Sequence, residues 1–334
     1  MQAGNVAQKC RGRRWGVLAA VVAGGLVLGA GCQKAPTAKP GAPAARRGKP
    51  VIYTTFYVTT YFTKRIAGDA CEVVNPCPAD ADPSFWVPDD ATIGKYQAAD
   101  LIILNGASYE HGMDKVTLPA AKVVDTARPF KDEFIVLKHA FTHSHGPGGK
   151  HTHKGVDGHT WLDPINARRQ AETIKKALVA HWPEHKATFE KGYAELVKDL
   201  DGLDARLKDL SAKIGDELFL CSHPAYNYIG RRYGWHEHTY GLDPETMPDE
   251  ATFKKIESYL AEHPAHIMLW EAQPKPEIAA RMAKLGLMNV VFSPCEVVTP
   301  EEQAKGIDFF TVMNGNIDRL AAALDKLKAQ SKPG

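Results

Sequence analysis

The chain has 334 residues and a formal net charge of +2, from 41 Lys and Arg against 39 Asp and Glu. No basic stripe interleaved with aromatics occurs, which excludes nucleic acid as a partner. The roughly 285 residues beyond position 49 suffice for two compact lobes with cores of their own.

Residues 1–31 read as an export signal. Lys9, Arg11, Arg13 and Arg14 make a positive start, and Trp15 to Ala30 form an apolar core too short to span a membrane comfortably. Gly29, Ala30 and Gly31 precede Cys32, an ending that resembles the lipobox of bacterial lipoproteins and implies lipidation of Cys32. Residues 32–49 are rich in Pro, Ala, Gly and Lys and form a flexible tether. No later apolar run approaches membrane-spanning length, so the remainder is expected to be soluble.

From position 50 strand-like and helix-like segments alternate, which predicts an α/β protein with mostly parallel sheets flanked by helices. The first lobe, 50–165, opens with PVIYTTFYVTTYFTKRIAG and continues through the apolar strand AADLIILNG and the short strand AKVVDTA. Ligands of parallel sheets gather at the carboxyl ends of strands, so Tyr109, Glu110 and His111 are placed beside a cleft. Residues 166–214 form a helical segment. Asp163 caps its first helix with Pro164 at the first position, and a second pattern from about 184 to 214 is long enough to join two lobes as a rigid spine, about 45 Å at 1.5 Å per residue. The second lobe, 215–334, repeats the alternation with ELFLCSHPAY, AHIMLWEAQ and NVVFSPCE. His223, Glu271 and the segment Ser293 to Cys295 are expected to converge on one rim of its sheet.

Six of the fourteen histidines lie in 139–159, interleaved with Gly and Pro. That composition predicts a loop rather than a packed helix or strand, and a tract dense in imidazole suits borderline divalent metals, Zn²⁺ above all. Within it His143, His145, His151 and His153 are candidate loop ligands. After Cys10 and Cys32 are set aside, Cys71, Cys77, Cys221 and Cys295 remain, an even number that permits three pairings. Closure of Cys71 with Cys77 is the simplest and leaves Cys221 to pair with Cys295. If reduced, Cys221 and Cys295 are candidate soft ligands.

The lipobox-like cysteine, the His-rich tract ending in GHTWLDP, the long helix, and then SHPAYNYIGRRYG and LWEAQPKPEIAARMAK resemble the zinc and manganese solute-binding proteins of bacterial ABC importers. The resemblance covers nearly all of the chain beyond Pro50. It implies two α/β lobes joined by a rigid helix with a metal in the cleft between them, a membrane permease as partner, and no enzymatic activity. Carried over by position, His159 and His223 match two of the family's ligand histidines. Ser84, in Asp82-Pro83-Ser84-Phe85-Trp86, stands where a further histidine is expected, and Ser293 where a carboxylate often stands. Glu110, His111 or Cys295 is then a candidate to complete the ligand set, with Glu271 orienting a ligand histidine or bonding cleft backbone. The reading that follows is an extracytoplasmic, membrane-anchored monomer that captures Zn²⁺ or Mn²⁺ and delivers it to a permease, its His-rich tract acting as a low-affinity antenna. The alternatives are a secreted zinc-dependent hydrolase, for which no HExxH or GxSxG motif is present, and a degenerate receptor serving as a metal buffer or adhesin.

Overall fold

The computed structural model describes residues 48–144 and 150–330, with side chains described as far as 137 and again from 155. The export signal, Cys32, all of the tether but its last two residues, His145 and the side chains of His143, His151 and His153 lie outside the described residues. Residues 47–334 form one compact unit.

The first lobe runs β1 (Val51–Thr54), α1 (Tyr57–Ala67), β2 (Glu72–Val74), α2 (Asp90–Ala98), β3 (Leu101–Leu104) and β4 (Val123–Asp125). All strands pair in parallel in the order β2-β1-β3-β4. Leu101, Ile102 and Ile103 are fully buried, as an all-apolar strand with both faces covered requires. The next two strands, β5 (Val136–Ser144) and β6 (Lys150–Val156), pair antiparallel with Phe141 opposite His153, Thr142 opposite Thr152 and His143 opposite His151. The His-rich tract, expected to be a loop, is thus in part a hairpin. The β-branched residues of its arms support pairing, and Gly146 to Gly149, which made the tract look unstructured, fall between them in sequence.

A short 3₁₀ turn over Thr160–Leu162 leads into α3 (Pro164–His181) and then α4 (Lys186–Ile214). Asp163 caps α3, its side chain accepting from Ile165 N. Helix α4 has 29 residues, about 44 Å. It buries Phe189, Leu196, Leu200, Leu203, Leu207 and Leu210 against α1, α3 and the C-terminal helix Phe309–Gln330. At Gly192 any Cβ would drive into the α1 backbone at Arg65 and Ile66, so glycine is what lets the two helices cross so closely.

The second lobe runs β7 (Leu218–Cys221), α5 (Asn227–Tyr233), β8 (His236–Thr239), α6 (Glu250–Glu262), β9 (Ile267–Trp270), α7 (Pro276–Lys284), β10 (Met288–Val291), α8 (Pro300–Ala304) and α9 (Phe309–Gln330). Its sheet is parallel in the order β10-β9-β7-β8. One apolar cluster extends from Ile52 and Phe62 in the first lobe through α3 and α4 to Phe219, Phe292 and Leu320 in the second, so the two sheets share a core. Among the described residues no helix is long and apolar enough to cross a membrane. Cys71, Cys77, Cys221 and Cys295 are all free thiols, so neither expected disulfide is present. Cys71, Cys221 and Cys295 are instead buried among apolar side chains of the shared core, where a thiol packs as a small hydrophobe.

Candidate metal centre

The strand ends of both sheets and the loop after β6 meet at a buried polar cleft. His159 follows Gly158, whose α-carbon lies so close to Tyr109 that a Cβ would stand 2.8 Å from the tyrosine Cβ. This seats His159 against the loop after β3, where it is 3 % exposed. Its backbone N donates to Asp157 Oδ1 at 2.9 Å, and ring Nδ1 meets the same oxygen at 2.8 Å. On the other side of the ring, Nε2 is 3.4 Å from Glu296 Oε1, which also accepts from the Tyr109 hydroxyl at 3.0 Å. Trp161, its indole N–H donating to Pro294 O at 2.8 Å, stands beside the ring and ties the loop to the second lobe.

His223 lies two residues beyond β7 and is 2 % exposed. Its ring centre lies 5.1 Å from that of His159 with the planes at 84°, close enough for both imidazoles to reach one ion through 2.0–2.1 Å bonds. Glu271, at the end of β9, places Oε2 3.1 Å from His223 Nδ1. Each histidine therefore has a carboxyl group at Nδ1, which leaves Nε2 as the nitrogen for an ion. Beside His159, a cavity of ≈ 10 Å³ bounded by Ser84, His111 and Pro224 has room for about one water-sized occupant. Glu296 also borders a cavity of ≈ 190 Å³ with Tyr57, Cys77 and Pro83, and its side chain is 22 % exposed.

Burial opposes charge on His159, but the hydrogen bonds and charges of Asp157 and Glu296 outweigh it and raise the imidazole to about 10. Burial likewise pushes the Glu271 carboxyl well above the usual carboxylate range, with the charge of Glu296 adding to it and that of His159 opposing it. Among the described residues no three His, Cys, Asp or Glu side chains already stand as a ligand cluster. An ion entering here must take the place of the His159–Glu296 contact.

Of the residues singled out in the sequence, His159 and His223 are brought together and Glu271 lies beside them. Glu110 is not in the cleft. Its carboxylate accepts from Thr55 Oγ1 at 2.7 Å, from Asn105 N and from Gly106 N at 3.1 Å, and so holds the β3 loop, which carries Ala107 and Ser108 at φ of 53° and 57°. His111 packs against Phe85, ring centres 4.9 Å apart and planes tilted by 34°, and borders the small cavity. Cys295 is buried in the core, and burial pushes its thiol well above its ordinary value, so it offers no thiolate. Its backbone, at φ 64°, makes the corner that precedes Glu296. Ser84 Oγ donates to Asp82 Oδ1 at 2.6 Å, and the Ser293 backbone N–H and C=O bond the side-chain amide of Asn316. Two residues of the cleft were not singled out in the sequence. Glu296 lies three positions beyond Ser293, and Asp157 lies two before His159 in VDGH, a spacing that could have revealed it.

Two parallel-sheet lobes on a shared helical spine, with imidazoles and carboxylates buried between their strand ends, define a bilobal α/β cleft protein. The sequence profile of "ZnuA: Zinc-uptake complex component A periplasmic" matches residues 52–323, and the chain belongs to that family. It is 29% identical over 286 residues to the "Zinc-binding lipoprotein AdcA" of Streptococcus pneumoniae and 28% identical over 316 residues to the "High-affinity zinc uptake system protein ZnuA" of Bacillus subtilis. These alignments cover 84% of this chain and 56% of AdcA, and 91% of this chain and 96% of ZnuA. The chain thus spans about half the length of the AdcA relatives it matches. Among solved structures, the metal-dependent lipoprotein YcdH of Bacillus subtilis superposes with a TM-score of 0.71 at 25% identity, covering 82% of this chain and 98% of YcdH. Zn(II)-bound AdcA of Streptococcus pneumoniae superposes with a TM-score of 0.70 at 27% identity, covering 83% of this chain and 58% of AdcA.

Proposed function

We propose that this chain is the extracytoplasmic binding component of a metal-ion ABC importer, taking Zn²⁺ as its cargo and passing it to a membrane permease. The observation that carries this reading is the pair of buried imidazoles from different lobes, 5.1 Å apart, each backed at Nδ1 by a carboxyl group. Nε2 of His159, Nε2 of His223 and a Glu296 oxygen are the donors assigned to the ion. Two nitrogens and one oxygen favour Zn²⁺ over the harder Mn²⁺. The family membership and the zinc-binding relatives support the same cargo. The export signal and lipidated Cys32 would hold the protein on the outer side of the membrane, with residues 32–49 as tether. His143, His145, His151 and His153 would gather ions at low affinity.

Competitive Zn²⁺ titration of the soluble body tests this, comparing wild type, a deletion of 139–153, Glu296→Gln and the double variant His159→Ala, His223→Ala. The expected result is one tight equivalent that survives the deletion, weakens in Glu296→Gln and disappears in the double variant. Tight binding that persists in the double variant, or that vanishes with the deletion alone, would overturn the assignment.

A further inference from the structure

Asp157 has more partners than a residue at the base of a hairpin needs. It is 2 % exposed and follows directly on β6. Its Oδ1 takes both the backbone N–H and the ring Nδ1 of His159, at 2.9 and 2.8 Å. Its Oδ2 accepts from Asn227 Nδ2 at 2.9 Å. That same amide donates to Pro224 O at 3.1 Å, the carbonyl of the residue after His223. The Asp157 backbone is fixed as well, with N donating to Ile135 O at 2.8 Å and O accepting from the Tyr228 hydroxyl at 3.0 Å. Asn227 and Tyr228 open α5 in the second lobe, whereas Asp157 and His159 belong to the first. One carboxylate thus links the root of the His-bearing hairpin, one ligand histidine and the segment that carries the other.

We propose that Asp157 is the positioning residue of the cleft: it fixes the His159 ring with its proton on Nδ1, so that Nε2 faces the ion, and through Asn227 it sets the His159 loop against the His223 segment. The proposal rests on the reading of His159 as a cargo ligand. The carboxylate acts through geometry and tautomer and does not touch the ion. A carboxylate behind an imidazole ligand contributes about 10–100-fold in metal affinity. The linkage to Asn227 adds a consequence: loss of the amide should loosen the pair of histidines while leaving the tautomer of His159 unchanged.

The test uses the soluble body and Zn²⁺ alone, with variants Asp157→Asn, Asn227→Ala and His159→Ala. Each is followed by competitive titration, thermal melting and ¹⁵N NMR of labelled histidines. Asp157→Asn should weaken Zn²⁺ by about 10–100-fold, and the His159 Nδ1 proton resonance seen in wild type should be lost or displaced. Asn227→Ala should keep that resonance and lose less affinity, which tests the bridge even if Asp157→Asn fails to fold. If His159→Ala abolishes tight binding while Asp157→Asn and Asn227→Ala bind as wild type with unchanged histidine spectra, the positioning role is overturned and the site assignment stands. If His159→Ala itself binds as wild type, the underlying site assignment fails instead.

Discussion

His159 lies between the carboxylates of Asp157 and Glu296, and that placement makes ion capture a contest with a proton. Burial disfavours the imidazolium, yet the two carboxylates raise the group to about 10, so on the proposed assignment Zn²⁺ would compete with a proton for Nε2. Affinity should therefore rise with pH, by roughly tenfold per unit for each proton released. Titrations between pH 6.5 and 8.5 check the slope, and a flat profile would show that Nε2 is not the site of exchange. The metal-free protein should respond in the opposite sense. The folded imidazole lies above its unfolded value, so its stabilisation is complete below the ordinary histidine range and is lost as pH rises toward 10. The raised Glu271 carboxyl acts in the same direction, because the folded state holds a proton there that the unfolded chain has released. His159 and His223 were legible in the sequence because each stands at a recognisable junction, one before TWLDP and one at the end of an apolar strand. Glu296 was not, since comparison by position points to Ser293 and only the left-handed corner at Cys295 precedes the carboxylate that reaches the cleft.

At the scale of elements, sequence patterns were reliable where packing and local propensity agree. The all-apolar strands β3 and β9 and the capped helix α3 are examples. Strand β8, with the sequence HEHT, has no apolar signal and is held by pairing with β7. The β5–β6 hairpin was hidden by glycine and proline that fall between its arms. The crossing of α1 and α4 depends on a single missing Cβ. Gly192→Ala would set a methyl against the carbonyls of Arg65 and Ile66, and the helices must separate to admit it. The expected cost is about 1–3 kcal/mol in denaturant unfolding. An unchanged midpoint would mean that the crossing relaxes freely.

Across the whole molecule, the shared core decides how the lobes respond to cargo. Each sheet packs one face on a cluster of its own, but its other face packs on apolar contacts that run from Ile52 through the spine to Leu324. Calorimetry should accordingly give one unfolding transition for the body, and a single ion in the cleft should raise it as a whole. The gain follows RT ln(1 + [L]/Kd), about 2.7 kcal/mol when free Zn²⁺ is a hundred times Kd. Two separated transitions, only one of them moved by Zn²⁺, would contradict this coupling. The strand orders carry a last consequence. Numbered within its own lobe, each sheet reads 2-1-3-4, so the molecule is built on an internal symmetry. Two positions beyond the first strand the second lobe places His223 where the first has the buried Phe56. One position beyond the third it places Glu271 beside that histidine, where the first lobe has Asn105, whose backbone N–H donates to Glu110 within its own loop. The two halves share a plan but not a role: one supplies an imidazole and its carboxyl group from just beyond its strand ends, and the other contributes its histidine only from a segment added after the symmetric unit is complete.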